Sequence, residues 1–157
     1  MSADKKLSPP SRELALALTF ATKLARDRES RVSLRDLLGG MYLSSLDRLR
    51  RYWDEWERLE DFVVSECDLP RPRFMYLHEM DQYLRSDRED LLTNFDEEVS
   101  QIMSEANHLA LKSGWDETRL EHLLGALAGD NRGDLCRRFV ASGMRTDIVR
   151  QSMGGPG

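Results

Sequence analysis

A chain of 157 residues can build one compact domain with a real core, or two small halves that share one. Its 40% hydrophobic and 32% charged residues suit a globular protein and argue against disorder. A net charge of −5 supplies no general basic field, which disfavours nucleic acid, and no apolar run nears the roughly 18–20 residues that span a bilayer.

The N-terminus, MSADKKLSPPS, has two lysines but no apolar core behind them, so it does not read as a secretory signal. The first helix is expected from about Ser11 to Arg28, with Ser8 or Ser11 as cap and Pro9-Pro10 at or before its first turn. Leu14, Ala17, Leu18, Ala21, Leu24 and Ala25 form its buried stripe, in steps of three and four. A shorter helix is expected from Ser33, where Ser33 and Asp36 resemble a capping box, and Gly39-Gly40 should weaken or end it. Leu46, Leu49, Trp53, Trp56, Leu59 and Val63 make another stripe, on one long helix or on two bent near Trp53. Its acidic outer face, with Arg51 and Arg58 at helical spacing, reads as a solvated surface. Pro70-Arg71-Pro72 breaks the pattern, an inserted helix follows over residues 74–84, and residues 85–94 form a polar connector.

Asp96 should cap the next helix, whose stripe is Val99, Ile102, Met103, Ala106, Leu109 and Ala110, with Gly114 as its stop. Thr118 and Glu121 are spaced as a better capping box than Ser33 and Asp36. Gly133 precedes a helix holding Leu135, Cys136, Phe139 and Val140; Gly143 ends it, and residues 146–153 form a last short helix. Nothing alternates convincingly as a strand, so the expected class is all-α.

Residues 11–42 overlay residues 96–127 at one offset of 85 without a gap. Ser11 falls on Asp96, Ala21 on Ala106, Leu24 on Leu109, Asp36 on Glu121 and Gly40 on Gly125. Self-similarity of this kind marks a duplicated structural unit.

The run FDEEVSQIMSEANHLALKSG from Phe95 to Gly114, the run TRLEHLLGAL from Thr118 to Leu127, then Gly133 and the FVASG ending from Phe139 to Gly143 resemble the Clp repeat. That repeat forms the N-terminal domain of Clp-type ATP-driven unfoldases. The first unit resembles it over 11–66, with Glu29 where the family usually has glycine and Leu37 in place of the histidine. The resemblance implies two pseudo-symmetric four-helix repeats, residues 8–68 and 95–153, packed as one domain. Residues 69–94 would be a linker with an inserted central helix, and 154–157 a tail. It further implies a domain that does no chemistry and recruits substrates or adaptors for an ATPase ring. The phosphate-loop pattern G-x-x-x-x-G-K-[ST] is missing, so ATP hydrolysis is not expected of this polypeptide.

The candidate reactive groups are weak ones. Glu105 and His108 make a single Glu-x-x-His pattern with no second copy, and Cys136 with His122 lacks a third group to orient the base. Neither metal, cofactor nor catalytic residue is therefore expected. Cys67 and Cys136 are too few for a disulfide framework and suit a reducing compartment, with the cytoplasm expected. Trp53 and Trp56 are expected in the core. For partner contact the candidates are Ser11 and Glu121 by position, and Met75, Tyr76, Met80 and Tyr83 on the insertion, where Met and Tyr suit an adaptable surface. The partner expected is a protein: a Clp-type ATPase, an adaptor or an unfolded substrate, with no nucleic acid and no membrane. The alternative is a small helical regulator that binds another partner or effector, unrelated to proteolysis.

Overall fold

The first long helix of each half begins on a side chain that accepts a backbone N–H and ends at a residue with left-handed backbone. The computed structural model describes residues 9–67, 69, 94–129 and 133–154. Within them lie α1 (Arg12–Asp27), α2 (Leu34–Leu49), a 3-10 turn (Arg50–Tyr52), α3 (Trp56–Glu66), α4 (Glu97–Lys112), α5 (Leu120–Leu127), α6 (Asp134–Ala141) and α7 (Thr146–Ser152). No strand occurs among the described residues, only three isolated bridges, so the fold is all-α. None of these helices is long and apolar enough to cross a membrane. The expected helix over residues 74–84 lies outside the described residues, and so do Met75, Tyr76, Met80 and Tyr83.

α1 and α4 are built alike. Ser11 Oγ accepts from Leu14 N at 3.2 Å, and Asp96 Oδ1 accepts from Val99 N at 2.9 Å. Both helices run for 16 residues. At their ends Ser30 N donates to Ala25 O and Trp115 N to Ala110 O, each at 3.0 Å, the long bond of a Schellman stop. That stop needs a positive φ, which Gly114 adopts at 85° and Glu29 at 55°. Glu29 therefore carries a left-handed backbone that glycine would adopt without a Cβ clash.

Two expectations for the next helices are overturned. α2 does not end at Gly39-Gly40; it continues to Leu49, with its one break in helical geometry at Ser45. Gly40 is there for clearance. A Cβ at this position would sit 2.5 Å from Ala17 O and 2.7 Å from Ala21 N, so α1 and α2 meet backbone to backbone along the small-residue stripe of α1. The ungapped overlay also fails after α1 and α4. In α2 the capping box is Ser33 with Asp36, and Ser33 N donates to Asp36 Oδ2 at 2.9 Å. Its counterpart in α5 is Arg119 with His122, where Arg119 N donates to His122 Nδ1 at 2.9 Å. The turn before α5 is one residue longer than the turn before α2, and Asp36, not Leu37, occupies the histidine's place. Thr118 and Glu121 do not form the expected box. Thr118 instead pairs its backbone with that of residues 9–11.

Those backbone pairs hold residues 9–67 against 94–154. Ser11 N donates to Thr118 O at 2.8 Å and Thr118 N to Pro9 O at 2.9 Å. Asp96 N donates to Val32 O at 3.0 Å and Val32 N to Asn94 O at 2.8 Å. The second set is the first with the two halves exchanged. A third contact joins Trp53 to Met144, with Asp54 N donating to Gly143 O at 3.0 Å and Arg145 N to Tyr52 O at 2.7 Å. The extended backbone at Trp53 separates the 3-10 turn from α3, so the tryptophan stripe is split between α2, the link at Trp53 and α3 rather than lying on one helix.

The core runs continuously through both halves, from Leu14, Leu18, Leu37, Leu38 and Met41 to Ile102, Leu123, Leu124, Cys136 and Phe139. Trp53 is buried, as expected, and donates its indole N–H to Ser142 Oγ at 3.0 Å while its ring meets Phe139 at 5.1 Å. Trp56 is half-buried beneath the Arg50 guanidinium, 4.4 Å from its ring centroid.

Candidate functional site

Glu121, at the first turn of α5, is a buried carboxylate bonded across the two halves. It is 4% exposed, yet Tyr52 OH reaches its Oε2 at 2.7 Å and Arg48 Nε reaches the same atom at 2.9 Å. Arg48 stands four residues before Tyr52 at the end of α2 and the 3-10 turn, which puts both side chains on one side of that segment. Arg48 also approaches Glu13 Oε2 of α1 at 3.4 Å, and Tyr52 OH approaches Ser152 Oγ of α7 at 3.2 Å. Two donors of the first half therefore meet on one carboxylate oxygen, and each also reaches a second polar partner, on α1 or on α7. Burial opposes its charge, but the hydrogen bonds from Tyr52 and Arg48 outweigh that cost and hold the carboxyl below the usual carboxylate range. Burial correspondingly lifts the Tyr52 phenol, and Glu121 keeps Arg48 protonated against the cost of its own partial burial. Such a group braces; it holds no proton to give.

Asp36 plays the related part in α2. It is 1% exposed, accepts from Ser33 N, and is covered by the Arg28 guanidinium. The two helix starts are therefore both charged or polar and both buried, but one is closed by a local arginine and the other by the opposite half.

Ser11 is 2% exposed with its hydroxyl committed to Leu14 N. Ser11 and Glu121, expected at a partner surface, are thus already engaged within the chain, and direct contact with a partner would require uncovering them first. His122 lies at the start of α5, where its ring accepts a backbone N–H, and His108 is on an exposed face. Among the described residues no cluster of three or more His, Cys, Asp and Glu could hold a metal ion. Both cysteines are buried and neither is in a disulfide, and burial pushes the Cys67 thiol up to about 12, which keeps it a poor nucleophile near neutrality.

The accessible surface offers a shallow open groove of about 370 Å³ between α3 and α6, lined by Arg58, Asp61, Phe62, Arg138, Ala141 and Ser142. Arg138 is pinned there by Glu66 at 2.7 Å and Asp134 at 2.8 Å, and lies 5.8 Å from the Phe62 ring centroid. Val64 and Leu111, 42% and 47% exposed, are the large apolar side chains left in solvent among the described residues.

Sequence reasoning missed Arg48, Tyr52 and Trp115. The first two carry a helical spacing of four, but no local signal ties them to a carboxylate 69 and 73 residues further on. Trp115 sits in a turn where no periodicity applies. In comparison with known proteins, no family model, no curated protein and no solved structure matches this chain.

Proposed function

We propose that this chain is a non-enzymatic protein-binding module built from two pseudo-symmetric four-helix repeats of the Clp type, acting as an adaptor or substrate-recognition domain for a Clp-type unfoldase. The observation that carries the reading is the pair of backbone contacts that exchange when the halves are exchanged: Ser11 and Pro9 on Thr118, Asp96 and Asn94 on Val32. A duplicated unit that folds against its own copy gives that reciprocity; two unrelated helical segments have no reason to. The matched Schellman stops at Glu29 and Gly114 and the matched boxes at Asp36 and His122 support the same reading.

The binding role draws support from the commitments of the polar groups. Glu121, Asp36 and Ser11 each take internal bonds and both thiols are enclosed, which supports a structural part for them. What the described residues offer outward is a charged surface with separate apolar points, suited to weak, reversible capture of an unstructured segment or an adaptor. The test is a titration of the labelled chain against a Clp-type ATPase hexamer, its adaptors and a permanently unfolded model protein. Saturable binding to one of them is expected, and failure to bind any of the three removes the proposal.

A further inference from the structure

His122 is held in a way that admits one protonation state. Its Nδ1 accepts the Arg119 amide at 2.9 Å, so the ring proton resides on Nε2, and the side chain is 1% exposed. A second proton must enter at Nδ1, the atom that accepts the cap bond. The imidazolium has no lone pair to offer, so the cap would become two N–H groups facing each other. The ring also packs edge-on against Trp115, 5.7 Å between centroids at 71°. Trp115 in turn donates its indole N–H to Gly154 O at 2.9 Å and Met153 O at 3.2 Å, and carries the Arg119 guanidinium 5.0 Å from its ring centroid. One imidazole thus joins the start of α5 to the end of α7.

We infer that His122 is an acid-sensitive catch: taking up a proton undoes the start of α5, shifts Trp115 and releases the C-terminal end of α7. The charges that act on the ring are Glu121, which favours the imidazolium, and Arg119, which opposes it. The elements packed beside α5 also carry Glu105, His108 and Lys112 on α4 and Asp147 and Arg150 on α7. Burial outweighs Glu121 and keeps the ring neutral below the ordinary histidine range. The first half provides an internal contrast, because Asp36 accepts Ser33 N in the same position and needs no neutral ring. This inference is independent of the binding role.

The test uses the full chain. The Arg119 amide and Trp115 indole N–H resonances are followed by NMR from about pH 7.5 to about pH 5, alongside the rate at which a carboxypeptidase releases C-terminal residues, normalised to an unfolded peptide. Both resonances are expected to move together with one midpoint below about 6.5, and normalised release to rise by up to about tenfold per pH unit as pH falls from about 6.5 towards that midpoint, levelling off below it. His122→Asn, and as a second variant His122→Asp, which copies the acceptor that Asp36 supplies in the first half, should flatten both readouts. His108→Gln and His78→Gln should leave them unchanged. An unchanged acid transition in either His122 variant, its loss in a variant of another histidine, or no transition in the parent chain would overturn the inference.

Discussion

Replacing Gly40 by alanine tests the packing argument most directly, because two effects of known sign oppose each other. In the interior of a helix, alanine is favoured over glycine by about 1 kcal/mol. Here, though, the new Cβ would lie 2.5 Å from Ala17 O, 2.7 Å from Ala21 N and 3.0 Å from Ala21 Cα. All three are backbone atoms of α1, so no rotamer change can relieve the overlap; the helix itself must retreat. Overpacking of this kind costs about 1–3 kcal/mol, and a backbone obstacle places Gly40 at the upper end. The net expectation is destabilisation by about 2 kcal/mol, or a fall in Tm of about 4–8 °C for a chain of this length. Gly39→Ala is the paired control. Its Cβ would meet Leu24 Cδ1 at 3.0 Å, the end of a flexible side chain that can move, so helix propensity should dominate and the change should be neutral or slightly stabilising. Both are read by urea and thermal denaturation followed by helical circular dichroism. A Gly40→Ala protein as stable as its parent would refute the close approach of α1 and α2.

Glu29→Gly should stabilise the chain by roughly 0.5–1 kcal/mol, since it removes a Cβ from a left-handed residue, and Gly114→Ala should lose about 1 kcal/mol despite open space around it; urea midpoints decide both. Glu121→Gln keeps an acceptor but loses its charge opposite Arg48, itself a quarter exposed; a loss of roughly 1–2 kcal/mol is expected, and an unchanged midpoint would show that the network does not brace the halves. Acid should weaken the fold in the same place. Glu121 has a folded pKa below its unfolded value, so its contribution is complete above about pH 4.5 and disappears as pH falls through the folded value, measurable as a urea midpoint that drops in the parent and less in Glu121→Gln. Cys67 acts at the other extreme: its pKa is raised from 9.0 to about 12, so its contribution is complete below about pH 9 and is lost as pH rises; reaction with a thiol reagent near neutrality should occur at the rate of unfolding, not of diffusion.

Among the described residues, helix existence and most helix ends were legible because they rest on local chemistry. Ser11, Asp96 and Gly114 act through bonds three to five residues away, a range visible within one segment. Gly39-Gly40 misled for the opposite reason: the local cost of glycine in a helix is real, and the compensating contact lies on another element. The overlay misled in a subtler way. Aligning on identity kept one offset and placed Asp36 over Glu121, whereas the hydrogen-bonding roles pair Asp36 with His122 across a one-residue insertion. Identity follows residue type; capping follows the position of an acceptor. The Glu121 network was invisible because its donors come from the other half, and nothing within a helical turn of Glu121 announces them.

The reciprocal backbone contacts have a topological consequence. Each half lends its leading segment to the other, so neither owns a complete boundary. A peptide bond hydrolysed anywhere between Leu69 and Asn94 would therefore leave two polypeptides clasped like interlocked hands. They would travel together through a sizing column and come apart only when the shared leucine interior is dissolved.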